Sequence, residues 1–513
     1  MYVCLCVCVL CFIPVSIVQG QNNEALGLHF VMFLPTLRSQ GDAEQRKKWL
    51  PLAESFKALG TYAQTEMGHG TFIRGLETTA TYDPATQEFV MNSPTISSIK
   101  WWPGGLGKTS NHAIVLAQLY TKGICHGLHA FIVPIRSMST HEPLPGIEVG
   151  DIGPKFGFDE VDNGYLKMDN VRIPRMNMLM KYAKVERDGT YQKPPSAKLT
   201  YGTMVFIRSM IVGESSRALS KACTIAIRYS SVRHQSELRP GEPEPQILDY
   251  QTQQYKLFPL LATAYAFKFV GQYMTETYHR ITGDINQGDF SELPELHALS
   301  AGLKAFTTWV ANGGIEVCRM SCGGHGYSRC SSLPDIYVTF TPTCTYEGEN
   351  TVMMLQTARL DRSPEDAWNN SSIDLVRASD AHCHYVVVKL FAAKLGEISD
   401  TGVHSALSTL ALLYALHGVA QNSGDFLQAG LLTVPQLSSV SQRLKDILAQ
   451  VRTNAVALVD AFDYRDEMLN SVLGRYDGNI YEHMFEWARK SPLNRTEVHE
   501  SYHKYLKPLQ SKL

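Results

Sequence analysis

Two carboxylates stand two residues apart in the stretch CTYEGENTVMMLQTARL (344–360), Glu347 between Tyr346 and Gly348, and Glu349 just before Asn350. Apolar residues recur at three- and four-residue spacing from Thr351 to Leu360, which predicts a helix. Asn350 is placed to cap it. Glu347 then sits in a short turn at the mouth of a helix, where a rigid approach can aim one carboxylate at a fixed point. Acidic residues also favour helix N-termini because the helix dipole stabilises them there. The spacing by itself leaves both readings open.

Three other stretches hold residues suited to binding. TYAQTEMGHGT (61–71) is dense in hydroxyls, amides and glycines. It can offer backbone N–H groups and the Thr65 hydroxyl to a flat heteroaromatic ring, or it is an ordinary polar loop. SIKWWPGGLGKTSNHAIV (98–115) has the look of a phosphate loop, but the first glycine of that pattern is replaced by Trp102, five residues before Gly107-Lys108-Thr109. Nucleotide triphosphate binding is therefore rejected. What remains is paired tryptophans and a Gly104-Gly105 turn that a ligand can approach closely. In CRMSCGGHGYS (318–328), Gly323 and Gly324 follow a long apolar pattern and read as a helix C-cap with a tight turn. The spacing is not the dinucleotide fingerprint. His325 and His234 read as hydrogen-bonding histidines, since neither has a second ligand at helical spacing.

The elements that must position these residues change character along the chain. GLHFVMFLPTL and DAEQRKKWLPL form a short helical segment at 25–58. TATYDPATQEFVMNS, HAIVLAQLYT, HAFIVPI and GYLKMDNVRI alternate strand-like runs with Gly, Pro and Asn turns, giving a β domain over 59–190. From Ser196 the pattern is amphipathic helix almost throughout, broken at DRSPEDAWNN (361–370).

Bulk properties narrow the class. The chain has 513 residues, 44% of them hydrophobic, enough for several cores. Its 47 basic and 49 acidic side chains give a net charge of −2 with no long basic run, so nucleic acid is not indicated. Four of the eleven cysteines (Cys4, Cys6, Cys8, Cys11) crowd the apolar leader at 1–24. The other seven, from Cys125 to Cys383, lie scattered without zinc spacing, as in a reducing compartment. Residues 1–20 could suit a signal peptidase, but they lack a basic n-region and read better as an alternative first exon. The chain ends in Ser511-Lys512-Leu513, a receptor-read peroxisomal address, and that end carries more weight than the leader. The sequons at Asn370 and Asn494 are common chance matches.

Taken in order, YAQTEMGHGT, SIKWWPGGLGKTSNHAIV, GDIGPKFGF, LTYGTMVFIRS, VRHQ with GEPEPQILDYQTQQYKLFP, CGGHGY and CTYEGENTVMMLQTARL resemble the peroxisomal acyl-coenzyme A oxidases of the straight-chain, palmitoyl type. These form part of the acyl-coenzyme A dehydrogenase superfamily. The likeness covers nearly everything from about residue 27 onward, and the ending SKL shares it.

The resemblance implies an α+β fold, a central β-barrel or sandwich domain followed by helical-bundle domains. It places the β domain with the flavin and acyl site at 59–190 and a first helical bundle with the catalytic glutamate at 196–360. A second helical domain follows at 361–513, and 25–58 is the remnant of a largely missing N-terminal helical domain.

It further implies FAD, a fatty acyl-CoA substrate, molecular oxygen as acceptor, a homodimer and a peroxisomal import receptor. Glu347 maps onto the base that removes the α-proton, and Glu349 supports the turn. Thr65 and Gly104 map onto flavin-ring contacts, Arg233 onto a pyrophosphate partner, and Gly323-Gly324 onto a turn that approaches the FAD of the neighbouring subunit. Metal ligands and membrane insertion are not implied. The family pattern continues its helix past LQTARL, whereas here DRSPEDAWNN follows at once, as if a helix and its linker were deleted. Two other functions therefore compete. One is an impaired isoform that dimerises or competes with intact oxidase subunits; the other is a secreted or tethered protein directed by the leader.

Overall fold

The computed structural model describes residues 26–194, 202–286, 289, 291–358 and 369–510. The leader, the break at 361–368 and the terminal Ser511-Lys512-Leu513 lie outside these residues. The described chain divides into two compact units. The first takes the chain up to Glu214, Val270–Val310 and Val338–Val386; the second takes Ser215–Phe269, Ala311–Tyr337 and Val387 onward.

In the first unit the strand-like runs become strands. β1 (Gly60–Ala63), β2 (Thr79–Asp83), β3 (Glu88–Asn92), β5 (His112–Thr121), β6 (Ile124–Pro134) and β9 (Val171–Pro174) form one sheet, ordered β1-β5-β2-β3-β9 with β6 on β5. β5 is its spine. Its first half pairs in parallel with β1 and its second half in parallel with β2, while β6 runs antiparallel along the whole length. β5 and β6 turn at Lys122 and Gly123, both at positive φ, the geometry of a two-residue hairpin. β4 (Lys100–Trp101), β7 (Ile147–Asp151) and β8 (Gly164–Met168) form a second, antiparallel sheet.

The period of two along β5 explains why it is buried on both faces. Ala113, Val115, Ala117 and Leu119 join Phe89, Phe131, Leu166 and Met168 in a core filled from both sheets. Ile114 and Leu116 point the other way, where Phe33, Leu37, Trp49, Ile207 and Ile211 of the flanking helices cover them. Of those helices, Ala43–Glu54 begins with a capping box between Asp42 and Gln45.

Long helices supply the rest: Gly202–Val232, Gln251–Asn286, Leu293–Ser321, Ser372–Leu395, Thr401–Gln421 and Val434–Asp460. In the second unit Ile225, Phe258, Leu261 and Ile315 are buried. Arg228, also buried, pairs with Asp460 at 2.7 Å and donates to the Gly474 carbonyl.

Candidate active site

The Glu347 turn follows from its neighbours. Pro342 opens the short 3-10 turn Thr341–Cys344, and its carbonyl accepts from both Thr345 and Tyr346 N–H. The chain then reverses through two left-handed residues, Glu347 at φ +54° and Gly348 at φ +103°. Only glycine fits the second position, because a Cβ there would run into the Met353 side chain. The helix Asn350–Ala358 starts at once. One expectation is corrected here: Asn350 does not cap it. The Glu349 carboxylate does, accepting from Val352 N–H at 3.2 Å and from the Thr351 hydroxyl. Asn350 is buried and turned inward to the helix Leu293–Ser321, because a cation and a hydroxyl wait there.

Two buried cations brace the turn. Arg208 Nε donates to the Glu347 carbonyl at 2.9 Å, while its Nη1 is buried without a partner. Lys304 Nζ donates to the Gly348 carbonyl at 2.6 Å and to Asn350 Oδ1 at 2.9 Å. Burial raises the Glu347 carboxyl above the usual carboxylate range, although Arg208 and Lys304 both pull it down. Burial likewise lowers Lys304 to about 8. The arrangement is a half-buried carboxylate of raised proton affinity on a rigid turn, which can take a proton from a weakly acidic carbon.

Thr65 and Gly104 sit on adjoining loops of the β sheets. Trp101 N–H donates to the Thr65 carbonyl at 2.9 Å, and the Thr61 hydroxyl to the Gly104 carbonyl at 2.8 Å. Beneath Thr65 lies a buried ion pair, Lys100 Nζ to Glu66 Oε1 at 3.0 Å. Lys100 also donates to the carbonyls of Gln64 and Leu116, and Glu66 accepts from the N–H groups of Glu77 and Thr78. Burial would raise Glu66, but the Lys100 charge and these hydrogen bonds outweigh it. Lys100 itself is lowered by burial to about 8, with the Glu66 charge and hydrogen bond pulling it upward.

The loop after Trp101 is pinned from two sides. Arg136 donates to the carbonyls of Leu106, Gly107 and Ser110, while Asp162 accepts from the N–H groups of Lys108 and Thr109. The amides that would cradle a phosphate in a nucleotide loop thus serve a carboxylate instead.

These loops fit a flavin ring. The Thr65 hydroxyl makes no hydrogen bond among the described residues, and the neighbouring Gln64 Oε1 is buried without a partner. Asn163, which donates to the Trp102 carbonyl, likewise has an orphaned Oδ1. Buried polar atoms left unpaired by the fold are what a ligand with donors and acceptors on its edge satisfies.

In the second unit, Arg233 follows the helix Gly202–Val232, and the phenols of Tyr481 and Tyr229 and the Glu244 carboxylate lie near its side chain. Its carbonyl accepts from Ile247 N–H. His234 is exposed and joins Gln246 only through a backbone bridge, and His325 meets the Tyr229 ring edge-on at 6.1 Å; against expectation, neither ring makes a hydrogen bond among the described residues. Gly323 is left-handed at φ +60°, and Gly326 packs against the Arg319 carbonyl. Gly324 needs neither conformation nor close packing, since a Cβ there meets open space. The fold does not explain that glycine; a ligand approaching its backbone would.

Arg208, Lys304, Glu66, Lys100, Arg136 and Asp162 escaped the sequence reading. The signal available for Lys304 was a lone cation among Ala, Gly, Leu and Phe in SAGLKAF.

The relationships of the chain agree with this geometry. The family model described as acyl-CoA oxidase, C-alpha1 domain, matches residues 201–360, the acyl-CoA oxidase model matches 337–511, and the acyl-coenzyme A oxidase N-terminal model matches 13–59. Peroxisomal acyl-coenzyme A oxidase 1 of Phascolarctos cinereus is 64% identical across 96% of this chain and 85% of the relative. The Homo sapiens protein of the same name is 63% identical with the same coverage. Both alignments run over 564 residues, more than the 513 of this chain, so the relatives carry internal residues that it lacks.

Among solved structures, Arabidopsis thaliana acyl-CoA oxidase 1 superposes with a TM-score of 0.92 at 44% identity, covering 95% of this chain and 85% of that one. Acyl-CoA oxidase-2 of Caenorhabditis elegans, bound with FAD, ascaroside-CoA and ATP, superposes with 0.93 at 41% identity, covering 96% and 84%. With matched models over most of its length and relatives above 60% identity, the chain belongs to the acyl-CoA oxidase family.

Proposed function

We propose that the chain is a peroxisomal, FAD-dependent acyl-CoA oxidase that converts acyl-CoA and oxygen to trans-2-enoyl-CoA and hydrogen peroxide. The observation that carries this is Glu347, a half-buried carboxyl of raised proton affinity on a turn braced by Arg208 and Lys304. FAD, when bound, supplies the acceptor for the β-hydride and passes the electron pair to oxygen. Glu347 Oε takes the α-proton of the acyl thioester, a transfer that works best when the base has a proton affinity near the working pH. Glu349 stays at the helix N-terminus and takes no part in the transfer.

Thr65 and Gly104 would hold the flavin ring. Arg233 offers a fork suited to pyrophosphate, and Gly323-Gly324 presents backbone to the FAD of a partner subunit in a homodimer. Ser511-Lys512-Leu513 engages the peroxisomal import receptor.

Purified protein tests this directly. It should show a flavin absorption spectrum, bleach with palmitoyl-CoA in the absence of oxygen, and release peroxide when oxygen is admitted. Flavin-loaded protein that neither bleaches nor forms peroxide overturns the oxidase reading. A second reading, an impaired subunit that dimerises or competes with intact oxidase, draws on the internal residues that the relatives carry and this chain lacks. Recovery of a flavin-free chain only as a heterodimer with intact oxidase would favour it.

A further inference from the structure

Lysine is rarely buried without a reason. Lys304 lies 0% exposed in the middle of the helix Leu293–Ser321, with the apolar Ala301, Leu303, Ala305 and Phe306 around it on the helix. It makes no ion pair among the described residues; its two acceptors both belong to the turn, the Gly348 carbonyl and Asn350 Oδ1. Asn350 answers with its own amide, which donates to the Ala305 carbonyl and to Thr308 Oγ1 at 2.9 Å, one turn further along the same helix. The segment from Gly348 to Asn350 is thus gripped at both ends by one rigid element.

That grip falls where the backbone is strained. A left-handed non-glycine such as Glu347 persists only when its surroundings over-determine it. An apolar residue at 304 would fill the helix face at no electrostatic cost, so a buried ammonium is not explained by packing. The charged and titratable groups facing it are Glu347, Glu349, Arg208 and Cys344.

We propose that Lys304 is a positioning residue for the reaction: with Asn350 and Thr308 it fixes the left-handed turn that aims the Glu347 carboxylate, and it holds a positive charge beside that base. The proposal rests on Glu347 being the base. Arg208 secures the carbonyl before the turn's reversal, and Lys304 the carbonyl after it.

The test uses the flavin-loaded protein, palmitoyl-CoA and four variants. Lys304→Met should slow flavin reduction about ten- to a hundredfold, the usual effect of a small misplacement of a reacting group. Flavin content and the acyl-CoA dissociation constant should not change. The acid limb of the rate profile should move to higher pH, because a cation that lowers Glu347 has gone. Lys304→Arg should restore that limb and much of the rate. In a Glu347→Gln background, Lys304→Met should cost nothing more, since residues acting through one group are not additive.

An equal loss in both backgrounds, or an acid limb that stays in place, overturns the proposal. A Glu347→Gln protein reducing at the wild-type rate sinks the base assignment itself, a distinct result. Should Lys304→Met give no flavoprotein, Thr308→Val, which loosens Asn350 and leaves the Lys304 ammonium in place, is used instead. A slowed rate at full flavin content then supports the proposal, and a wild-type rate in Thr308→Val overturns it.

Discussion

A carboxylate in water is too weak a base for an α-proton, and the fold answers by partly burying Glu347. Burial lifts its proton affinity while Arg208 and Lys304 pull it back down. Glu347→Gln preserves shape but cannot accept a proton. Flavin reduction should fall by about 10²–10⁴-fold, with acyl-CoA binding intact. Glu349→Gln should leave reduction near the wild-type rate and cost about 0.5–1 kcal/mol of stability, the worth of a charged helix cap. Stopped-flow reduction and denaturant unfolding separate the two.

The sign of the pH effect follows from the same burial. The base works only when ionised, so the rate falls as pH drops through its proton affinity. That value is raised, so the acid limb should lie above the ordinary glutamate value of about 4.3. A limb at or below that value would show Glu347 to be solvated in the working enzyme.

Elements carry the precision that single residues need. Gly348→Ala would place a methyl against Met353 at a φ that side chains rarely adopt. It should therefore lose most activity although residue 348 does no chemistry; reduction rates at matched flavin content check this. Glu66→Gln would leave Lys100 without its counter-charge inside the sheet. Loss of one partner of a buried pair costs about 3–5 kcal/mol, so the unfolding midpoint in urea should drop sharply.

These supports also mark what could be read without a structure. The apolar, strand-like run HAIVLAQLYT between turns announced β5, and amphipathic patterns announced the long helices, because those signals are local. The pairs Glu66–Lys100 and Lys304–Gly348 join residues 34 and 44 positions apart, and no local period carries such information. Asn350 misled for a related reason. Its type suits a cap, but tertiary partners drew it inward and left the cap to Glu349. Glu347 itself was legible as a carboxylate in a helix-mouth turn, whereas its role as a base came from the family resemblance. Its desolvation depended on helices far away in sequence.

At the scale of the whole molecule, the residues proposed for flavin belong to different units: Thr65 and Gly104 to the first, Arg233, Gly323 and Gly324 to the second. Each set rests on its own unit's packing. Arg233 lies near Tyr481, Tyr229 and Glu244 but forms no salt bridge among the described residues, so its fork can take an anion bidentately. Arg233→Ala should therefore lower flavin occupancy of the purified protein. Arg233→Lys should lower it less, because lysine keeps the charge and loses only the bidentate fork. Tyr481→Phe provides the control. It removes the phenol from Arg233 without touching the charge, so occupancy should stay near wild type. The flavin-to-protein absorbance ratio after gel filtration reads all three. Because FAD stabilises only the folded form that binds it, the gain in melting temperature on adding FAD should shrink in the same order, Lys before Ala. Equal occupancy in wild type and Arg233→Ala would detach Arg233 from the cofactor. The pyrophosphate would then have to find its cation elsewhere.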